Sequence, residues 1–94
     1  MAKKPRLFST AGVISRKRKK IFGELVRRRR NKAGLTQVLL SHLSGLTAAF
    51  ISLVENGHKA PSILSVHQLA SALGISAAAN IAHWERRCER LPKR

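Results

Sequence analysis

The chain has 94 residues, a formal net charge of +15 with only four acidic side chains, and 44% hydrophobic content. That length bounds one small domain, the charge asks for a polyanionic partner (nucleic acid first, an anionic membrane surface second), and the apolar content argues against wholesale disorder. The lone cysteine, Cys88, excludes an internal disulfide, and no run approaches the roughly 20 apolar residues of a membrane span.

Thirteen of the nineteen cations fall within residues 1–34, beside a single acid, Glu24. Lys3, Lys4 and Arg6 open the chain, Leu7 and Phe8 give a small apolar patch, and Ser9-Thr10-Ala11-Gly12 reads as loop. Arg16-Lys17-Arg18-Lys19-Lys20 is a run of like charges, whose repulsion predicts a mobile arm over residues 1–20. Two readings stay open for it. It is a solvated tail, or an arm whose Arg16, Lys17 and Arg18 track phosphates or enter the minor groove. A first helix is expected from about Lys19 to Lys32, with Phe22, Leu25 and Val26 on its apolar face at i, i+3 and i+4, Arg27 to Arg30 on its other faces, and Gly34 as its stop.

Leu35 to Gly57 organises the rest. Thr36 is placed to cap a short helix that carries Leu40 and Leu43 three apart. Ser44-Gly45-Leu46 breaks the pattern, and Gly45 tolerates the left-handed backbone of a helix end. Thr47 is placed to cap a second helix to about Glu55, with Phe50, Ile51 and Val54 as its apolar stripe. Two short helices around a Gly-containing turn are the signature of a helix-turn-helix DNA reader. His58 to Ala60 connect onward, with Lys59 placed for a phosphate contact. Pro61 suits the first position of a fourth helix, with Leu64 (or Ile63), Val66, Leu69, Ala70 and Leu73 inward and Gly74 as stop. Ser76 caps a fifth helix over about 77–90, whose Ile81, Trp84 and Cys88 recur at helical spacing. Arg86, Arg87, Arg90, Lys93 and Arg94 make its end basic.

The stretch from Phe22 to Ser76 resembles the lambda-repressor-like, Cro/Xre-type helix-turn-helix family. The match rests on Gly34-Leu35-Thr36-Gln37, Leu40-Ser41, Gly45, Ile51-Ser52, Glu55-Asn56-Gly57, Pro61-Ser62 and Leu69-Ala70-Ser71-Ala72-Leu73-Gly74-Ile75-Ser76, in family order and spacing. The resemblance implies an ion pair between Arg30 and Glu55, joining the first helix to the third. It also implies phosphate contacts by Gln37 and Asn56. It aligns Ala48, Ala49 and Leu53 with places where family members often carry Gln, Arg or Lys to reach base edges. Alanine can touch only a thymine methyl, so Ser52 and Asn56 are the polar candidates left on a recognition helix spanning about 47–56, and specificity either comes from DNA shape and the arm or is modest. Leu39 and Leu43 stand where the family is usually polar. They either widen the buried face under the chain's own ends or form a docking surface.

The four histidines are scattered, no pair has metal-ligand spacing, and the chain has no Asp and no Gly-rich phosphate loop. An enzyme is not expected, nor a cofactor or metal. The expectation is an all-α, five-helix lambda-repressor-like DNA-binding domain. It comprises a basic arm (1–20), the helix-turn-helix domain (21–76) and a C-terminal helix with a basic tail (77–94). Its DNA-binding residues are Arg16, Lys17, Arg18, Thr36, Gln37, Thr47, Ala48, Ala49, Ser52, Asn56 and Lys59. The implied role is a bacterial or phage transcriptional regulator of the cytoplasm that binds double-stranded DNA as a homodimer, without a membrane. The rival is an antitoxin-like module that uses Leu39, Leu43 or Trp84 on a protein partner.

Overall fold

The computed structural model describes residues 4–91, with side chains described from residue 15 onward. The basic ends expected at Lys3, Lys93 and Arg94, and the side chains of Leu7 and Phe8, lie outside what is described. Five helices follow in order: α1 (Lys4–Lys32), α2 (Gln37–Ser44), α3 (Ala48–Glu55), α4 (Ile63–Ala72) and α5 (Ala77–Cys88). There is no strand among the described residues.

α1 begins far earlier than its apolar spacing suggests. The stretch expected as loop, Ser9-Thr10-Ala11-Gly12, is helical, and the five-cation run lies on the same helix rather than on an irregular arm. The physical reason is that Lys and Arg are good helix formers. A helix also turns about 100° per residue, which spreads adjacent charges around its circumference. Pro5 sits in the first turn, where its missing N–H costs nothing.

The remaining starts follow their caps. Thr36, Thr47, Ser62 and Ser76 each accept a hydrogen bond from the backbone N–H three residues on, at 3.0–3.1 Å, satisfying one orphan donor of each first turn. Ser62, not Pro61, therefore sets the start of α4. The expected inward position of Leu64 (or Ile63) is wrong: both are exposed. Leu64 falls on the far side of the helix from Val66, Leu69 and Ala70, with Ile63 on its flank.

The core is Phe22, Leu25 and Val26 from α1, Leu40 from α2, Ile51 and Val54 from α3, and Val66, Leu69 and Ala70 from α4. Ile81 and Trp84 of α5 pack against it. Trp84 meets Phe22 edge-on with centroids 6.2 Å apart and donates from Nε1 to the Arg18 carbonyl at 2.9 Å. Two features carry no periodic pattern. Asn80 is fully buried, and neither of its side-chain polar atoms has a partner among the described residues. Gly23 lets α1 and α3 touch at the backbone: a Cβ there would stand 2.2 Å from the Val54 carbonyl oxygen and 2.7 Å from that of Glu55.

Candidate nucleic-acid interface

α2 and α3 are bent 114° apart at a short break, inside the range of about 90–120° that lets the second helix of such a pair project from the domain. Gly45 makes the break, with φ +78°, and its N–H donates to the Ser41 carbonyl. The turn is pinned from two sides. Ser44 Oγ accepts from the Leu46 N–H at 3.2 Å, and Gln68 Nε2 of α4 donates to the Ser44 carbonyl at 3.3 Å.

The other end of α3 is held by Glu55, whose side chain is fully buried. Arg30 donates from Nε to Oε2 at 2.6 Å and from Nη2 to Oε1 at 2.9 Å, a bidentate pair. Arg30 also donates to the Leu35 carbonyl at 2.9 Å, and Gln37 Nε2 reaches Glu55 Oε1 at 3.0 Å. Arg27 completes the network, donating to Glu55 Oε1 at 3.5 Å and to Asn56 Oδ1 at 2.8 Å. Burial pushes the Glu55 carboxyl up. The bonds from Arg30, Gln37 and Arg27, with the charge of Arg30, outweigh that and hold it below the ordinary carboxylate range. The hydrogen bonds to Glu55 raise the Arg30 guanidinium in turn, against desolvation. Arg27, expected only on a face of the first helix away from its apolar one, and Gln37, expected at phosphate, are thus tied into this network. No sequence pattern revealed the role of Arg27.

The other expected site residues divide. Thr36, Thr47, Ala49, Asn56 and Lys59 are exposed, with Ala48 and Ser52 half-buried beside them. Asn56 and Ser52 are joined to each other at 3.4 Å. Lys59 Nζ stands 5.9 Å from the Phe50 ring centroid, close enough for a cation–π contact. Arg16, Lys17 and Arg18 are all exposed but do not share a face. Arg16 lies at i−7 and i−11 from Gly23 and Arg27, on the side of α1 that carries α3, whereas Arg18 lies on the side that meets Trp84.

Leu39 and Leu43 are 48% and 61% exposed, and the chain ends expected to cover them lie largely outside the described residues. Trp84 is half-buried, packed edge-on against Phe22. Cys88 is half-buried, and burial pushes its thiol up, away from the reactive thiolate. Among the described residues no three His, Cys, Asp or Glu side chains gather to hold a metal, and no single helix is long and apolar enough to cross a membrane.

Two capped helices around a left-handed glycine, with the second projecting and locked to α1, define a helix-turn-helix DNA-binding domain. The helix-turn-helix family profile matches residues 26–80, and the chain belongs to that family of DNA-binding transcriptional regulators. It is 34% identical over 58 residues, covering 62% of this chain and 75% of the other, to the HTH-type transcriptional regulator y4dJ of Sinorhizobium fredii. It is 40% identical over 50 residues, 53% of this chain and 72% of the other, to an HTH-type transcriptional regulator of Methanothermobacter thermautotrophicus. Among solved structures it resembles the restriction-modification controller protein C.AhdI of Aeromonas hydrophila. The TM-score is 0.64 at 34% identity, over 66% of this chain and 94% of that one.

Proposed function

We propose that the chain regulates transcription in a bacterium or phage by laying α3 in the major groove of double-stranded DNA, as a homodimer on two half-sites. The observation that carries this reading is the geometry of the reader: a 114° break that projects α3, with Ala49 and Leu53 exposed on its outer side and Ala48 and Ser52 half-buried at its edges. Thr36 and Gln37, at the start of α2, stand where N–H groups and the helix dipole favour a phosphate. One Gln37 Nε2 hydrogen is spent on Glu55, and the second is free for a phosphate oxygen. Arg16, Lys17, Asn56 and Lys59 add phosphate contacts that set register without reading sequence. Pairing of two copies follows from the half-site logic of small readers.

Direct readout in this arrangement is weak. A good bidentate contact discriminates by about 1–3 kcal/mol per base, and two alanines, a serine and a leucine make almost none. The specificity of the wild-type chain belongs at the low end of the ~4–10 kcal/mol that separates specific from non-specific binding. Competition binding on a randomised duplex library tests this. Ala48→Gln is expected to create a base preference at one position, while Gln37→Ala weakens all sequences alike. A sharp consensus read by the wild-type chain alone would overturn the weak-readout reading.

A second reading has one observation in its favour. Leu39 and Leu43 form an exposed apolar ridge at i, i+4 on α2, with Val38 exposed beside them, and contiguous exposed apolar area usually marks a contact. It assigns a protein partner to α2, as in an antitoxin-like module. The paired change Leu39→Glu and Leu43→Glu would then remove a partner and leave DNA binding intact.

A further inference from the structure

A groove of about 340 Å3 runs between α1 and α5. Arg28, Arg29 and Lys32 form one wall, and Arg86, Arg87 and Arg90 the other. Buried Leu25 lies between the walls and exposed His83 at the rim. No carboxylate lines the groove. Among the described residues the only ion pairs are those of Glu55 with Arg27 and Arg30, so none of these six cations is neutralised. Six like charges facing one another across a narrow cleft are a standing repulsion that an anion relieves.

The groove is not part of the reader. Arg27 and Gly23 mark the side of α1 that touches α3. At about 100° per residue, Arg28, Lys32 and Arg29 lie about 100°, 140° and 200° around the helix from Arg27. α5 packs against α1 and α4. The order through the domain is therefore α3, then α1, then the groove, and a duplex on the outer side of α3 leaves the groove open.

We propose that this groove holds the phosphodiester backbone of a second DNA duplex, so that one domain bridges two DNA segments. The proposal rests on the DNA-binding reading of α3. Three observations favour a duplex backbone. Arg28 and Lys32 are an i, i+4 pair on α1, so that wall offers cations at two levels about 6 Å apart along the groove, and on the other wall Arg90, in the turn after α5, extends the row of Arg86 and Arg87. The only aromatic ring of the lining is His83 at its rim, with none of the Phe, Tyr or Trp platforms on which successive unpaired bases stack. Its lining is cationic on both walls and holds no carboxylate, and arginine and lysine are the side chains that most often meet phosphate oxygens. A second copy of this chain is a poor occupant, because a two-fold contact here would set cations against cations.

The test uses the full chain and the triple variant Arg28→Gln, Arg86→Gln, Arg90→Gln, whose three positions are all exposed. One duplex is fixed to beads, a second labelled duplex is in solution, and a gel shift on the single duplex runs in parallel. The wild-type chain is expected to bring the labelled duplex to the beads. The variant is expected to shift the single duplex within about threefold of wild type yet recover at least about tenfold less label. Lysine at the same three positions is expected to restore recovery. Recovery by the glutamine variant equal to wild type would overturn the proposal and assign bridging to two reader helices of a dimer. A wild-type chain that shifts the single duplex but recovers no label would overturn it too. A wild-type chain that shifts no duplex at low salt would remove the reading of α3 together with the proposal.

Discussion

Replacing Glu55 by alanine should cost the domain a large share of its stability. Its carboxylate has no exposed side-chain surface, and Arg30 opposite is only 12% exposed. Removal strands a nearly buried guanidinium, and breaking a buried pair from one side costs about 3–5 kcal/mol. Arg27, at 44% exposure, keeps its hydration and adds little. Against a total of about 5–15 kcal/mol for a typical domain, the loss should be plain in urea unfolding followed by the emission of Trp84, the only tryptophan. The double change Arg30→Met with Glu55→Met should cost clearly less than the two single changes together, since it leaves no unpaired charge. The pH dependence has a fixed sign. An unfolded glutamate takes up its proton near pH ~4.3, while folded Glu55 takes it up only at lower pH. Between those values the unfolded chain binds more protons, so stability rises with pH. The contribution is full above the unfolded value and is lost as pH falls through the folded one. A Glu55→Ala loss below about 1 kcal/mol, the worth of an exposed pair, would refute the reasoning.

Two further outcomes are expected of the same urea assay. Gly23→Ala would gain about 0.5–1 kcal/mol from helix propensity alone, but its methyl would overlap the Val54 carbonyl, so a net loss of about 1–3 kcal/mol is expected; a net gain would mean that α1 and α3 do not touch there. Asn80→Leu should leave stability unchanged or raise it by up to about 2 kcal/mol, since the buried amide has no partner to lose; a loss above about 1 kcal/mol would show that the amide is paired.

The parts of the fold legible in the sequence are those set by local chemistry. Thr36, Thr47 and Ser76 declare their helices through their own hydroxyls. Gly45 declares the turn, and Ile51, Val54, Leu69 and Ala70 fall inward by period. The Arg30–Glu55 pair was reachable only through the family pattern, because nothing local links residues 25 positions apart. The rest depends on packing between elements. Gly23 reads as a weak helix position until α3 arrives against it. The burial of Asn80, a polar residue on α5, has no local signal at all. Ile63 and Leu64 read as core until Ser62 fixes the phase of α4. The first half of α1 is not legible as a helix because a run of like charges reads as self-repelling, whereas a helix spreads those side chains around its circumference and lets propensity prevail. The two cationic walls of the α1–α5 groove were visible as composition, and only the packing of the two helices makes them one surface.

The placement of α3 explains how a reader with so little to read can still be used. Its first turn is fixed by the Thr47 cap and by a turn that Gln68 holds to α4; its last turn is fixed by the Glu55 network and by the backbone approach at Gly23. Few degrees of freedom are left to the helix as a body. With Ala48 and Ala49 at its front, the side chains spend little entropy and form few directional bonds. If α3 enters the groove as proposed, a rigid, nearly featureless wedge of this kind would discriminate by whether a duplex accepts it, which is a property of groove shape and deformability. On the proposed reading Gln37 would belong to both systems, since one amide hydrogen steadies the carboxylate that locks α3 and the other would meet the DNA backbone. The fit of the wedge and the stability of the domain therefore share one side chain, and a change there cannot alter binding without also loosening the helix that binds.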